Sequence, residues 1–141
     1  MSNEAVITKD FYIKRFTSLI LKSGLAGFPK DEIDQHILLK SIILVLGSAE
    51  AYTEREINER IQYWIIAISG MQKMDHSTLR RWLVDSGYLL RNTDGSRYQA
   101  ASGSRAHLFD PAIDQVDVPQ VLQAARDEIE QRKKAFLEKK G

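Results

Sequence analysis

No cysteine occurs anywhere in this 141-residue chain. A disulfide framework, a thiolate zinc site, an iron–sulfur cluster and a cysteine nucleophile are thereby excluded. Histidine is nearly as scarce. His36, His76 and His107 are the only three, and none lies within one or two helical turns of another, so there is no local metal motif. Long apolar runs are missing too: the richest, Ile37 to Leu46, is broken by Lys40 and Ser41 and is too short to span a bilayer. The opening residues MSNEAVITKD hold no basic region followed by an apolar stretch, so they do not read as a secretory signal, and a cytoplasmic protein is expected. No nucleophile elbow, phosphate-binding glycine loop or His-based triad appears, and Ser102-Gly103-Ser104 has the composition of a flexible loop. The sequence therefore predicts no enzyme, no metal and no cofactor.

What is present suits a single domain with extra terminal elements. Hydrophobic residues make up 43% of the chain, enough to bury a core without cross-links. The net charge of +1 gives the whole protein little pull on phosphates, so the distribution of charge matters more. From Lys73 to Arg97 the bases Lys73, Arg80, Arg81, Arg91 and Arg97 outnumber the acids Asp75, Asp85 and Asp94. From Ala51 to Gln72 the balance leans acidic, with Glu54, Glu56 and Glu59 against Arg55 and Arg60.

Periodicity and punctuation place the elements. Tyr12, Phe16, Leu19 and Ile20 recur at helical spacing and predict a helix from Asp10 to Ser23, stopped by Gly24 and followed by the loop GLAGFPK. Asp31 to Leu46 predicts a second helix, acidic in its first turn and apolar nearly all round in its second half, the pattern of a helix at the centre of a small domain. Ala51-Tyr52 suits a very short strand. Thr53-Glu54-Arg55-Glu56 is a capping box opening a helix that carries Ile57, Ile61, Trp64, Ile65 and Ile68 and stops at Gly70. Asp75 caps the next helix, His76 to Ser86, with Leu79, Trp82 and Leu83 on its apolar face and Gly87 at its exit. Tyr88 to Leu90, the Asp94-Gly95 turn and Arg97 to Gln99 read as a β-hairpin. Ala100 to Val116 has weak periodicity and reads as an irregular linker. Pro119 to Lys140, capped by Asp117, is a last long helix with the stripe Val118, Val121, Leu122, Ala125, Ile129, Phe136 and Leu137, interrupted by Arg132.

Helix, helix, short strand, capped helix, second helix and hairpin is the winged-helix layout. The segments FPKDEIDQHILLKSII, YTEREINERI, DHSTLRRWLVDSGYLLR and DGSRYQ closely resemble a small bacterial family, a domain of unknown function with a winged-helix-like fold often attached to helix-turn-helix transcriptional regulators. The resemblance spans Phe28 to Gln99. The segment QYWIIAISGMQKM between Ile61 and Asp75 is longer than that family's pattern. The expected architecture is mainly α with a small β-hairpin: an N-terminal helix and loop over 1–27, a winged helix-turn-helix core over 28–99, a linker over 100–116 and a C-terminal helix over 117–141.

Such a layout predicts a DNA-binding transcriptional regulator acting through helix 76–86 and the hairpin wing 88–99, with a protein-interaction module as the alternative. Ser77, Thr78, Arg80, Arg81, Arg91 and Arg97 are the candidate contacts to double-stranded DNA. Each has a structural alternative. Arg81 has Asp85 one turn on, and Arg80 has Glu56 or Glu59 within its range. Ser77 and Thr78 are ordinary first-turn residues, and arginines on a hairpin also protect a sheet edge. Trp64 and Trp82 read as core anchors rather than stacking platforms. Arg132-Lys133-Lys134 and Lys139-Lys140 share their helix with Asp127, Glu128, Glu130 and Glu138, the composition of a solvated face. The stripe on that helix serves either the chain's own core or a second copy. A homodimer through terminal helices would present two recognition helices roughly 34 Å apart, one DNA turn.

Overall fold

The computed structural model describes residues 6–22, 27–47, 51–71, 73–101 and 106–140. The fold is mainly helical, with one small three-stranded antiparallel sheet. The predicted Gly24 stop and the Ser102–Ser104 loop lie outside the described residues.

Helix α1 (Lys9–Thr17) begins at the cap Thr8, whose hydroxyl accepts the Phe11 N–H, and runs on as a π-helical turn over Ser18–Lys22. It buries Tyr12, Phe16 and Leu19. The Tyr12 hydroxyl donates to the Ile37 carbonyl at 2.9 Å. Burial, with Tyr88 nearby, pushes the Tyr12 phenol well above its ordinary pKa.

Helix α2 (Glu32–Leu46) is the central element expected from its apolar surface, with Ile37, Leu38, Leu39, Ile42 and Leu46 all buried. It also buries Asp34, His36 and Ser41, and each has a partner. Arg15 holds Asp34 through two 2.7 Å bonds. The His36 ring Nδ1 lies 2.9 Å from the Tyr88 hydroxyl. Ser41 donates to the Leu38 carbonyl and accepts the Trp64 indole N–H. Among the described residues no buried side-chain nitrogen or oxygen is left unpaired, which removes the penalty that otherwise opposes polar burial.

Strand β1 (Tyr52–Thr53) leads directly into α3 (Glu54–Tyr63). The capping box forms as the sequence predicts: Thr53 accepts the Glu56 N–H at 3.1 Å, and Glu56 accepts the Thr53 N–H at 2.9 Å. The two bonds from Thr53, backbone first, hold the Glu56 carboxyl below its ordinary pKa. Thr53→Ala is expected to cost about 1 kcal/mol in urea denaturation. Because Glu56 has a lowered folded pKa, its stabilisation is present above the ordinary carboxylate range and is lost as pH falls through the lowered value. In Glu56→Ala that acid-side decline should be shallower; an unchanged decline would show that the box is not formed in solution.

The extra length after Ile61 is absorbed by a π-helical turn over Trp64–Ser69. It closes on Gly70 at φ 69°, a left-handed conformation that favours glycine, with the Gly70 N–H donating to the Ile65 carbonyl at 2.8 Å. This turn buries Trp64, Ile65 and Ile68 and leaves Ile66 exposed, so one face of it belongs to the core.

Helix α4 (His76–Asp85) packs against α3 and buries Leu79 and Leu83. Trp64 is a core residue as predicted, but Trp82 is only half-buried, meeting Phe28 edge-on with ring centroids 4.7 Å apart at the margin of the core. Strands β2 (Leu89–Arg91) and β3 (Arg97–Ala100) form the predicted hairpin, and β1 adds to the outer side of β3. The sheet order is β1-β3-β2, with Tyr52 opposite Tyr98 and Leu90 opposite Gln99.

The segment read as a linker, 100–116, has local structure in its described part. Residues 106–116 carry two 3-10 turns, Ala106–Leu108 and Pro111–Gln115, and bury Leu108, Phe109, Ile113 and Val116. Phe109 pairs with Ile7 in an isolated parallel bridge, and Lys40 reaches Asp114 at 2.7 Å. These apolar residues have no period of their own because each is placed by a tertiary contact.

Helix α5 (Val118–Lys140) starts with the Asp117 side chain accepting the Gln120 N–H at 3.2 Å. Val118 and Leu122 are buried, and Val121, Ala125 and Ile129 half-buried. The far end of the predicted stripe does not reach the core: Phe136 and Leu137 are exposed.

Candidate functional site

The residues predicted to contact DNA fall on α4 and the hairpin beside it. The two elements form the walls of a shallow groove of about 290 Å³, lined by Ser77, Arg80, Arg81 and Arg91 together with Val84, Asp85 and Tyr98. Four of the six predicted residues are thus brought together; Thr78 and Arg97 do not line the groove.

The start of α4 is already capped. Asp75 accepts the Ser77 N–H at 2.7 Å and the Thr78 hydroxyl at 3.4 Å. The Ser77 bond is the main reason the Asp75 carboxyl titrates below its ordinary value. An ionised carboxylate at that position occupies donors that a phosphate would otherwise use.

Arg80 is committed to structure. Its guanidinium donates to the Asn58 side-chain oxygen, lies 3.3 Å from Glu54 and sits over the Tyr98 ring at 5.6 Å. Its partner acid is Glu54, because Glu56 is turned back onto the Thr53 cap and Glu59 is 3.2 Å from Arg55. One side chain thereby fastens α4 to α3 and to the hairpin. Sequence inspection missed Glu54, Asn58 and Tyr98 as its partners. The only available signal was that Glu54 and Asn58 lie four apart on one face of a helix.

Arg81 differs. It is exposed, and among the described residues it makes no ion pair, Asp85 included. Arg91 and Arg97 are exposed as well. The Arg91 guanidinium lies over the turn, where a Cβ at position 95 would overlap it, and Gly95 has a φ of 74°. The turn is further tied by Asp94, which accepts both the N–H and the hydroxyl of Ser96, bonds that lower the Asp94 pKa.

The groove face is therefore cationic at Arg81 and Arg91, neutralised at Arg80 and acidic at Asp85, whereas Arg97, adjacent to Tyr98 in β3, lies on the other face of the hairpin. Among the described residues no cluster of three or more His, Asp or Glu side chains could hold a metal ion, and no helix is long and apolar enough to cross a membrane. No curated protein and no solved structure matches the chain. Residues 24–100, which hold α2, the sheet, α3 and α4, match the family described as an uncharacterized protein conserved in bacteria (DUF2087), and the chain belongs to that family.

Proposed function

We propose that this protein is a winged-helix module that binds double-stranded DNA and acts in transcription regulation. The order α2-β1-α3-α4-β2-β3 and the sheet order β1-β3-β2 support the winged-helix reading, with α4 as recognition helix and β2–β3 as wing. The observation that carries the DNA reading is the shared groove, lined by both Arg81 of α4 and Arg91 of the wing, with neither in an ion pair among the described residues. On a duplex, Arg81 would meet a base edge or phosphate in the major groove, and Arg91 and Arg97 the flanking backbone.

Binding to duplex DNA should fall steeply with salt. Arg81→Ala and Arg91→Ala should each reduce the salt slope by about one, as loss of a phosphate contact does. Arg80→Ala should instead lower the unfolding midpoint. Fluorescence anisotropy on mixed-sequence duplexes, paired with thermal unfolding, separates these effects. Absence of duplex binding by the folded protein at low salt would sink the proposal.

Two observations favour a protein partner: Asp85 stands in the groove, and Arg80 is already neutralised by Glu54. On that account the groove accepts a side chain of the partner, and Arg81→Ala weakens protein capture in nuclease-treated extract while DNA is not bound.

A further inference from the structure

Helices α1 and α5 both lie outside the family-matched segment 24–100, and they pack on each other. Burial on the inward face of α5 falls along its length. Val118 and Leu122 are buried, Ala125 and Ile129 half-buried, and from Gln131 to Lys139 every side chain is exposed. Where burial falls, a groove of about 340 Å³ opens between α5 and the end of α1. Small-ligand sites span about 300–1,000 Å³, so the groove suits a small molecule.

Its walls are aliphatic and hydroxylic. Leu21, Ala125 and Ile129 line it, all half-buried, together with Thr17 and Ser18. The aliphatic surface they leave in contact with water is surface that a bound molecule would cover at a gain in free energy. Thr17 commits its hydroxyl to the Ile13 and Lys14 carbonyls, whereas the Ser18 hydroxyl has no partner among the described residues. Ser18 opens the π-helical turn that also brings Leu21 and Lys22 to the groove, and single widened turns of this kind recur at functional sites.

The rim is cationic. Lys14 and Lys22 line it from the α1 side, eight residues and so about 12 Å apart along the helix. Among the described residues neither makes an ion pair or a hydrogen bond through its side chain. Arg132 and Glu128 also line the groove, but they pair with each other within α5 at 2.5 Å, so their charges cancel. Two unanswered ammonium groups remain beside an apolar wall.

We infer that this groove binds a small organic acid, whose carboxylate meets Lys14 or Lys22 and whose apolar body covers Leu21, Ala125 and Ile129. Wall and rim each select for one half of such a molecule. An inorganic anion leaves the aliphatic wall in water, and a neutral apolar molecule leaves the ammonium groups unanswered. Ser18 adds an uncommitted hydroxyl donor. The inference does not rest on DNA binding, which is assigned to α4 and the wing.

Titration calorimetry and amide NMR of the full chain test it, with sodium octanoate and sodium benzoate as probes and with octanol and inorganic phosphate as controls. At least one of the two acids should bind saturably at one site per chain, and should raise the unfolding midpoint by about 3 °C or more at ten times its Kd. Amide shifts should gather on residues 14–22 and 125–132. Lys14→Gln combined with Lys22→Gln should weaken binding by roughly tenfold or more, as loss of a charge-assisted bond does. Its circular dichroism should stay unchanged, since both side chains are exposed. Ala125→Trp should fill the groove and abolish binding; the lysine variant carries the test if that replacement perturbs folding. Failure of both acids to bind saturably overturns the inference. So does octanol binding as tightly as octanoate, phosphate binding as tightly as either acid, or an affinity indifferent to the double lysine variant. Shifts gathered instead at the groove beside Phe28 and Trp82 overturn it as well.

Discussion

Trp64→Ala is expected to lower folding stability by roughly 3–5 kcal/mol, a large part of the total for a domain of this size. Trp64 is 0% exposed, opens the π-helical turn and donates its indole N–H to Ser41 at 2.9 Å. Truncation removes the largest side chain of the core and leaves a cavity that the surrounding elements can close only in part. Trp64→Phe separates the contributions. It keeps most of the apolar volume and loses the hydrogen bond, while Ser41 still donates to the Leu38 carbonyl, so its cost should be nearer 1–2 kcal/mol. Urea unfolding followed by circular dichroism measures both. Equal losses for the two variants would place the energy in the hydrogen bond and not in packing.

The second large effect is expected at Arg15. Its guanidinium meets Asp34 through paired 2.7 Å bonds, tying α1 to α2, and the bond to Asp34 is the main cause that raises the Arg15 pKa. The Asp34 side chain is 7% exposed and that of Arg15 is 41%. Arg15→Ala abandons a buried carboxylate. Breaking a fully buried pair costs roughly 3–5 kcal/mol, and the exposure of Arg15 lets water take over part of its role, so a loss of about 2–3 kcal/mol is expected. Arg15→Lys should recover little, because an ammonium cannot make the two parallel bonds. Replacing both partners together, as Arg15→Met with Asp34→Leu, should be milder than Arg15→Ala alone. If the double variant is the worse of the two, Asp34 does more than answer Arg15.

These two sites mark different limits on what could be read beforehand. Trp64 was legible as a core residue, because it recurs with Ile57, Ile61 and Ile68 on one helical face. The π-helical turn that seats it was not, since a single widened turn leaves the apolar pattern almost unchanged. The Arg15–Asp34 pair was not legible at all. The residues lie nineteen apart on separate helices, and only the docking of α1 on α2 brings them together.

The candidate site divides in the same way. Asp75, the helix after it and the Asp94-Gly95 turn were evident from local chemistry, and four of the six selected residues do share a groove. Which arginines remain available was not evident. Arg80 and Arg81 are adjacent in sequence and equal in type, yet successive residues on a helix point about a quarter-turn apart. One therefore turns toward Glu54 and Asn58 and the other toward solvent.

The sequence by itself determined the helices, their caps and the hairpin, because these depend on interactions between residues only a few positions apart. Only the tertiary structure decided the rest: that Leu108, Phe109, Ile113 and Val116 join the core, that Arg80 is tied down while Arg81 is exposed, and that Phe136 and Leu137 of α5 stay exposed. Each of those outcomes depends on which distant surface a side chain meets, and burial and charge pairing are properties of that meeting and not of the local chain.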